Sequence, residues 1–298
     1  MISIIICSKN PIFLKEVSEN VKETIGVLFE IIAMENHDGK YGICQAYNLG
    51  AAKAKYDIFC FMHEDISFVT QNWGLKVLKH LEDKKNGLIG VVGAHPTTFL
   101  PCSYHPPLLM HEANIIVQSN GKDKPSHHSL RTIDPSDKSV LKSVTGIDGV
   151  WMCTRRDVFV NHKFDEKTLT GFHGYDADFS LEILHGGFKV CVVFDILMYH
   201  YSSGYTNQSY MEQHLKLSKK WGKKSIFFLK DKPIQELATY HWIAMNKLIE
   251  KLFLLEYNPG TIIKHFFSFS MNSFFRIKPF LSLLIYMIRR ITFKSFSA

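Results

Sequence analysis

Short apolar runs alternate with amphipathic segments along the first third of the chain. Residues 2–7 form a β-branched run that stops at polar residues and Pro11, which predicts a buried strand. Residues 12–24 then place apolar side chains at helical spacing. The alternation continues with strands predicted at 29–34, 57–62 and 87–93 and helices at 42–55 and 71–82. Alternation of this kind predicts βαβ units, in which a parallel sheet carries helices on both faces.

The regular pattern stops between residues 94 and 137, where six prolines accumulate. This composition predicts an irregular insertion that contains one short strand at 113–117. Beyond it we predict strands at 150–153 and 188–194 and helices at 175–185, 209–221 and 234–253. We therefore expect an α/β catalytic domain over residues 1–205, a helical extension over 206–256 and a tail over 257–298.

Basic residues are concentrated in that tail. The 298 residues carry 35 Lys and Arg against 28 Asp and Glu, and no acidic residue follows Glu256. Six of the basic residues lie in the tail, so 29 basic and 28 acidic residues remain in a nearly neutral body. A neutral body predicts no nucleic-acid partner. The tail also holds 8 of the 23 phenylalanines. It is either a helical unit that packs these rings inward or an element that contacts an anionic membrane surface.

Several classes of protein are excluded by what the sequence lacks. The six cysteines are widely spaced, which argues against a disulfide scaffold and favours a reducing compartment. No secretory signal and no stretch of about 20 apolar residues is visible. We therefore expect a cytoplasmic protein, with peripheral attachment to the cytoplasmic membrane as a further expectation. The motifs typical of dehydrogenases, P-loop NTPases, zincins and α/β-hydrolases do not occur.

Two acidic clusters remain as candidates for chemistry. His63-Glu64-Asp65 directly follows a predicted apolar strand. Carboxylates there suit Mg²⁺ or Mn²⁺, although a solvated turn would have the same composition. The second cluster, at 172–178, opens a helix with Asp176 and Asp178. Either carboxylate could cap the helix, and Asp176, which follows a glycine-bounded loop, could instead face a cleft. In open α/β sheets ligands bind at the carboxyl ends of strands, which points to residues 7–10, 35–39 and 63–65.

Taken in order, these motifs resemble the family 2 glycosyltransferases with the GT-A fold. The resemblance covers residues 2–204 and is closest to the branch with a streptomycin-biosynthesis-type glycosyltransferase domain. The segments that carry it are Ile4-Ile5-Ile6-Cys7-Ser8, Ala46-Tyr47-Asn48-Leu49-Gly50-Ala51-Ala52, Asp57-Ile58-Phe59-Cys60-Phe61-Met62-His63-Glu64-Asp65, Asp148-Gly149-Val150, Arg155-Arg156-Asp157, Phe164-Asp165-Glu166, Gly174-Tyr175-Asp176-Ala177-Asp178-Phe179 and His200-Tyr201-Ser202-Ser203-Gly204. The implied fold is a Rossmann-like mixed sheet with helices on both faces.

The resemblance also implies roles for individual residues. Asp65 falls in the family's D-x-D position and would hold Mn²⁺ or Mg²⁺ on the nucleotide diphosphate, with His200 completing the coordination. Glu64 would support the metal or the ribose. Asp176 matches the family's catalytic base. The remaining expected nucleotide- or substrate-binding residues are Cys7, Ser8, Glu35, Asn36, Asn48, His63, Asp148 and Tyr175.

Two positions depart from the family's pattern. Tyr47 stands where an arginine is usual, which removes one phosphate-facing cation. Tyr175 stands where a glutamate is usual, which affects the positioning of the acceptor.

The function implied is an inverting, metal-dependent glycosyltransferase. It would move a sugar from a nucleotide-diphosphate donor to a glycan or lipid-linked acceptor in bacterial surface polysaccharide synthesis. A nucleotide-sugar pyrophosphorylase is an alternative, but it would need a glycine-rich basic loop after the first strand, which residues 8–11 lack. A non-catalytic, membrane-docked scaffold that keeps the fold is a second alternative.

Overall fold

The computed structural model describes residues 1–94, 100, 111–118, 125–131, 136–202, 207–222 and 233–295. Within these ranges the strands and helices follow the predicted alternation closely in the first third of the chain. The strands are β1 (Ile2–Ser8), β2 (Phe29–Glu35), β3 (Ile58–Met62), β4 (Ile66–Phe68), β5 (Asn86–Gly90), β6 (Val92–Ala94), β7 (His111–Val117), β8 (Ser126–Arg131), β9 (Leu141–Val144), β10 (Gly146–Ile147), β11 (Trp151–Arg155), β12 (Lys189–Val193) and β13 (Met198–His200). The helices are α1 (Pro11–Thr24), α2 (Ile43–Lys53), α3 (Trp73–Glu82), α4 (Arg156–Phe159), α5 (Tyr175–His185), α6 (Gln208–Trp221), α7 (Ile234–Leu254), α8 (Pro259–Ser270) and α9 (Ile277–Ser295).

The main sheet has seven strands in the order β2-β1-β3-β11-β5-β12-β9. Its first three strands are parallel, as the βαβ pattern predicts. Strand β11 lies antiparallel between β3 and β5, so the sheet is mixed rather than parallel throughout. The βαβ alternation of the first half thus accounts for β1, β2 and β3, while β11, from far along the chain, inserts antiparallel between β3 and β5. The mixed sheet implied by the resemblance is what the structure shows.

A second sheet contains strands that the sequence pattern did not reveal. Its order is β10-β6-β7-β13-β4, and β8 pairs with β7. The apolar run at 87–93 is two strands, since β5 belongs to the first sheet and β6 to the second. The described parts of the insertion form the β7–β8 hairpin, which corrects the expectation of an irregular segment. Strand β8 was missed because its residues, SHHSLR, are mostly exposed and polar.

Apolar side chains pack against both faces of the main sheet. On one face Val17 and Val21 of α1 and Val77 of α3 join alternate residues of β1 in one cluster, namely Ile2, Ile4 and Ile6. On the other, α2 and α5 pack on an aromatic group that includes Phe61 and Phe179. These two layers fix the sheet edge at which β1, β2 and β3 end.

The C-terminal helices form a further apolar cluster of their own. Side chains of α7, α8 and α9 bury one another there, together with Met211 of α6. In the tail Phe266, Phe274 and Phe280 are buried, so these rings pack inward. Among the described residues, none of the helices combines the length and apolar character that a bilayer-spanning segment needs. The division of the chain at 205 and 256 remains a prediction.

Candidate functional site

Three parallel strands bring their carboxyl ends to one edge of the main sheet. Ser8 at the end of β1 is in register with Glu35 at the end of β2. Ile6 of β1 is in register with Met62, the last residue of β3, so His63 follows at the same edge. The predicted nucleotide-binding residues of the first two strands therefore lie beside the first acidic cluster. This is the edge at which open α/β sheets bind ligands.

Glu64 holds the loop between β1 and α1. Its carboxylate accepts hydrogen bonds from the Ser8 hydroxyl at 2.7 Å and from the backbone N–H groups of Lys9 and Asn10, each at 3.0 Å. Asn10 in turn caps α1 through a bond from the Ile12 N–H to its side chain. Both Glu64 oxygens are thus engaged with the chain itself. The geometry assigns Glu64 to shaping the loop that a nucleotide would meet.

His63, Asp65 and His200 form a group that can hold a divalent metal ion. One candidate ligand atom from each lies within 4.8 Å of the other two. The Asp65 carboxylate is 3.8 Å from His63 Nδ1 and 3.7 Å from His200 Nε2. Strand pairing sets this arrangement, since His200 of β13 is in register with Ile66 of β4. The Tyr201 N–H also donates to the Asp65 carbonyl at 2.9 Å.

The chemistry of this group fits a bound cation. His200 Nε2 is buried and has no hydrogen-bond partner among the described residues. Burial and then the neighbouring His200 ring lower the pKa of His63, which favours the neutral imidazole that metals bind. His63 was expected to bind nucleotide or substrate, and the structure brings its ring into the same group as Asp65 and His200.

Tyr175 connects the metal-ligand group to the second acidic cluster. Its hydroxyl lies 2.8 Å from His63 Nε2. The Tyr175 ring is buried, and its centroid is 5.8 Å from that of the Tyr47 ring. The two tyrosines that depart from the family's pattern therefore contact each other. A Cβ on Gly149 would overlap the Tyr175 hydroxyl, so only glycine fits that position. Tyr47 is itself fully buried and supplies no group at the surface of the site.

Asp176 begins α5 next to this tyrosine and beside Asp148. The loop enters the helix through Gly174, whose φ of 78° suits glycine. The Asp176 carboxylate accepts hydrogen bonds from the N–H of Ala177 at 2.9 Å and of Gly149 at 3.2 Å. Burial and the Asp148 carboxylate raise the pKa of Asp176 to about 7, against the lowering effect of those bonds. A carboxyl group with this pKa can accept a proton reversibly near neutral pH.

Asp178, two residues further into α5, makes structural contacts. It is buried and accepts a 2.6 Å hydrogen bond from Trp221 Nε1 of α6. Lys220 Nζ lies 2.8 Å from Asp178, 3.0 Å from Asp165 and 3.0 Å from Glu182. These carboxylates raise the pKa of Lys220, although its burial opposes the shift. Sequence reasoning missed Lys220, because its partners are distant in the chain.

Three other expected binding residues make contacts within the chain. Asn36 is buried and its side-chain amide is bonded to the backbone of Tyr41 at 2.9 Å in both directions. Its Nδ2 also lies 3.4 Å from the sulfur of Cys7. Asn48 of α2 donates to the Phe164 carbonyl at 2.9 Å. The binding roles of these residues remain predictions, and their observed contacts shape the loops around the site.

Lys9 is a cation at the site that the sequence motifs did not single out. It follows Ser8 in the loop held by Glu64. Its Nζ lies 4.0 Å from the centroid of the Phe172 ring, in the loop that precedes α5. The signal in the sequence was its position directly after the first strand. Lys9 therefore connects the loop between β1 and α1, which Glu64 holds, to the loop that precedes α5.

Comparison with known proteins agrees with this architecture. The model of the "Glycosyltransferase like family" matches residues 3–230, which is more than half of the chain. The solved structure of GalNAc-T7 with UDP, GalNAc and Mn²⁺ is similar at 13% identity and a TM-score of 0.52. That similarity covers 82% of this chain and 54% of the other, so this chain spans about half the length of GalNAc-T7.

A second solved structure is similar over most of both chains. The mannosyltransferase PcManGT from Pyrobaculum calidifontis, in complex with GDP-Man and Mn²⁺, has 11% identity and a TM-score of 0.48. The similarity covers 97% of this chain and 84% of the other. No curated protein sequence matches this chain. With the family model covering the sheet, the metal-ligand group and Asp176, the chain belongs to the glycosyltransferase-like family and has the GT-A fold.

Proposed function

We propose that this chain is a metal-dependent glycosyltransferase that uses a nucleotide-diphosphate sugar. One observation carries the proposal. Tyr175 joins the metal-ligand group of His63, Asp65 and His200 to the adjacent Asp176, whose pKa is about 7. The bound UDP and Mn²⁺ of GalNAc-T7 support a nucleotide donor and a divalent ion.

In the proposed reaction Asp176 is the general base. Its carboxylate accepts the proton of the acceptor hydroxyl, and the acceptor oxygen forms a bond to the anomeric carbon of the donor. The bond from that carbon to the phosphate oxygen breaks, and the nucleotide diphosphate leaves with the electron pair. One displacement from the opposite face inverts the anomeric configuration, so we propose an inverting transfer. The backbone N–H groups of Gly149 and Ala177 hold Asp176 in place.

A divalent ion, when bound, neutralises the charge that develops on the departing diphosphate. His63, Asp65 and His200 would hold it, and the Tyr175 hydroxyl fixes the orientation of the His63 ring. Two imidazole nitrogens in the set favour Mn²⁺ over Mg²⁺, which prefers oxygen ligands. We therefore expect Mn²⁺ to support activity better than Mg²⁺.

The acceptor and setting are part of the proposal and rest on the sequence resemblance. We propose a glycan or lipid-linked acceptor, bacterial surface polysaccharide synthesis and a cytoplasmic location. Membership of the branch with a streptomycin-biosynthesis-type domain also stays a prediction.

The test measures thermal stabilisation by UDP-, GDP-, CMP- and dTDP-sugars with Mn²⁺, since a bound donor raises stability by mass action. The stabilising donor is then used in a transfer assay with simple glycoside acceptors. Asp176→Asn is expected to reduce turnover by about 10²- to 10⁴-fold, the usual contribution of a general base. Its donor affinity should stay close to that of the wild type. Asp83→Asn, at an exposed position after α3, is the matched control.

Unchanged turnover of Asp176→Asn would contradict the base assignment. The two alternatives give different products in the same assay. A pyrophosphorylase would release a nucleoside triphosphate when pyrophosphate is added to the nucleotide sugar. A non-catalytic scaffold would turn over no donor, even as slow hydrolysis, under any metal condition.

A further inference from the structure

Helix α9 exposes an apolar stripe next to the face that it buries. Phe280, Leu283 and Met287 pack into the helical core. The stripe follows helical spacing of four, four and three residues and stays between 46% and 56% exposed. Its members are Ile277, Leu281, Ile285 and Ile288. Single exposed apolar residues are common on protein surfaces, but four large aliphatic side chains in one row on a helix form a continuous exposed apolar surface.

Helix α8 adds a second exposed apolar row beside the first. Ile263, Phe267 and Met271 are spaced by four residues and are at least 40% exposed. The Phe267 ring centroid lies 6.0 Å from that of Phe280 in α9, so the row borders α9. We call the two rows together the α8–α9 face.

The charged residues of the tail that carries this face are all positive. Lys264, Arg276, Lys278 and Arg289 are exposed, and the sequence has no acidic residue after Glu256. Lys278 and Arg289 each follow a stripe residue, Ile277 and Ile288, and therefore lie beside the stripe rather than opposite it. Helix α7 carries two acidic and two basic residues, so its charges do not offset the positive charge of the tail.

A groove between α7 and α9 continues the face at its N-terminal end. It has a volume of ≈ 620 Å³ and is lined by Trp242 and Ile243 of α7 and by Arg276, Ile277 and Lys278. Ile277 belongs to both the groove and the stripe, so the two adjoin. None of the described residues that line the groove is acidic. Uncharged polar side chains of α7, from Gln235, Thr239 and Asn246, also line it, so the groove combines apolar and neutral polar walls with two cations.

We propose that the α8–α9 face docks on the surface of an anionic phospholipid bilayer, with both helices lying along the membrane plane. Apolar side chains enter the acyl boundary while the flanking cations meet lipid phosphates. A second copy of this chain fits the face less well, because a two-fold contact would place like charges against each other. The inference does not depend on glycosyl transfer.

The full chain is tested by flotation with phosphatidylcholine vesicles that contain or lack phosphatidylglycerol. We expect binding to the anionic vesicles that weakens as salt rises, because the Debye length shortens. Lys278→Gln combined with Arg289→Gln should weaken this binding about 30-fold. Leu281→Ser combined with Ile285→Ser should weaken it at least about 10-fold through lost apolar burial.

Matched variants elsewhere on the body control for surface chemistry. Lys22→Gln with Lys79→Gln removes two exposed cations from α1 and α3. Ile12→Ser with Leu75→Ser removes two apolar residues that are more than half exposed. Both controls should bind vesicles as the wild type does. Circular dichroism and melting of every variant confirm that the helices remain folded.

Three outcomes would overturn the proposal. Absence of wild-type binding to anionic vesicles is the first. Equal binding to neutral vesicles is the second, because the cations would then contribute nothing. The third is a dimer in solution that dissociates in the Leu281→Ser and Ile285→Ser variant, since the stripe would then bury against a second copy. Donor binding measured on the same samples keeps these outcomes separate from the proposed catalytic function.

Discussion

Tyr175 occupies a position where the resemblance expects a glutamate, and the substitution changes the electrostatics of the site. A carboxylate there would add a third negative charge beside Asp176 and Asp148. The tyrosine instead places a neutral hydroxyl 2.8 Å from His63 Nε2. Burial raises the pKa of Tyr175, so the hydroxyl stays protonated across the working pH range. In the proposed site this contact orients the His63 ring.

Tyr175→Phe is expected to weaken Mn²⁺ binding about 10- to 100-fold, the usual effect of removing a partner of a metal-ligating histidine. The aromatic packing against Tyr47 stays, so the melting temperature should change little. Calorimetric titration with Mn²⁺ measures the effect. Tyr240→Phe removes a hydroxyl that bonds Glu236 in α7 and is the control. Equal Mn²⁺ affinity in both variants would remove Tyr175 from this role.

The raised pKa of Asp176 predicts the pH dependence of activity. In the proposed mechanism the ionised carboxylate accepts the proton, so kcat/KM should rise with pH up to about 7 and then level off. Asp148→Asn removes the neighbouring charge that helps to raise this pKa, so the rising limb should move to lower pH. The pH at which kcat/KM rises is the quantity to compare, and the comparison does not depend on the maximal rate of the variant. A limb that stays in place would show that Asp148 does not act on Asp176.

The raised pKa of Asp176 also predicts how the stability of the fold depends on pH. The pKa of Asp176 is above its usual 3.8, so the native state holds a proton that the unfolded chain has already lost. Stability from this group is therefore present below pH 4 and declines as pH rises toward 7. Asp176→Asn has no charge to bury and should melt higher than the wild type at pH 8 but equally at pH 4. Differential scanning fluorimetry at both values distinguishes the outcomes.

At the scale of elements, side-chain contacts between α5 and α6 hold the first turn of α5, which carries Asp176. Lys220 and Trp221 at the end of α6 bind Asp178, which is two residues beyond Asp176 in α5. Lys220 also reaches Asp165. Burial opposes the shift, but hydrogen bonds from Thr168 and then the contact with Lys220 lower the pKa of Asp165 to about 2. Helix α5 is thus tied to α6, which lies beyond the segments that carry the sequence resemblance.

Lys220→Met should destabilise the fold by about 3 kcal/mol, because it leaves the buried Asp178 carboxylate without its cation. Denaturant unfolding at pH 7 measures this. The neighbouring Lys219→Met, at an exposed position on the same helix, should stay within about 0.5 kcal/mol of the wild type. The raised pKa of Lys220 keeps its positive charge up to at least about pH 10, whereas protonation of Asp178, whose pKa is raised by burial, removes that ion pair at acidic pH. Equal unfolding of both variants would make the ion cluster energetically unimportant.

At the scale of the whole molecule, the tail is joined to the body by burial. Phe266 of α8 and Met287 of α9 are almost completely buried in the cluster that contains Met245 and Leu252 of α7. Removing residues 257–298 would therefore expose an apolar face of α7. Such a deletion tests folding more than it tests lipid binding, and for this reason the tests of the α8–α9 face use exposed point substitutions.

Metal and donor together should stabilise the whole chain. A donor at 100 times its dissociation constant adds about 2.7 kcal/mol by mass action. We expect this gain with Mn²⁺ and its loss after chelation or in His200→Ala. Leu75→Ser, at an exposed position on α3, should keep the full gain. A donor effect that persists in His200→Ala with EDTA would show that nucleotide binding does not require the metal-ligand group.

The sequence by itself determined the early elements, the segments that end at the site and the unequal distribution of charge. The local hydrophobic periodicity predicted the bounds of β1, α1, β2 and α5 nearly to the residue. This is possible because the pattern of buried positions in one element can be read from neighbouring residues of the chain. The motifs also indicated Asp65, Asp176 and His200 as candidates.

Only the tertiary structure decided how those parts combine. The insertion of β11 between β3 and β5, the β7–β8 hairpin, the grouping of His63 with Asp65 and His200, and the Lys220 ion cluster all join residues far apart in the chain. Periodicity cannot reveal such pairs, because it reports which side of an element is buried and not which distant element covers it. The choice between packing and exposure of the tail was decided in the same way, since one face of α9 meets α7 and the other stays open.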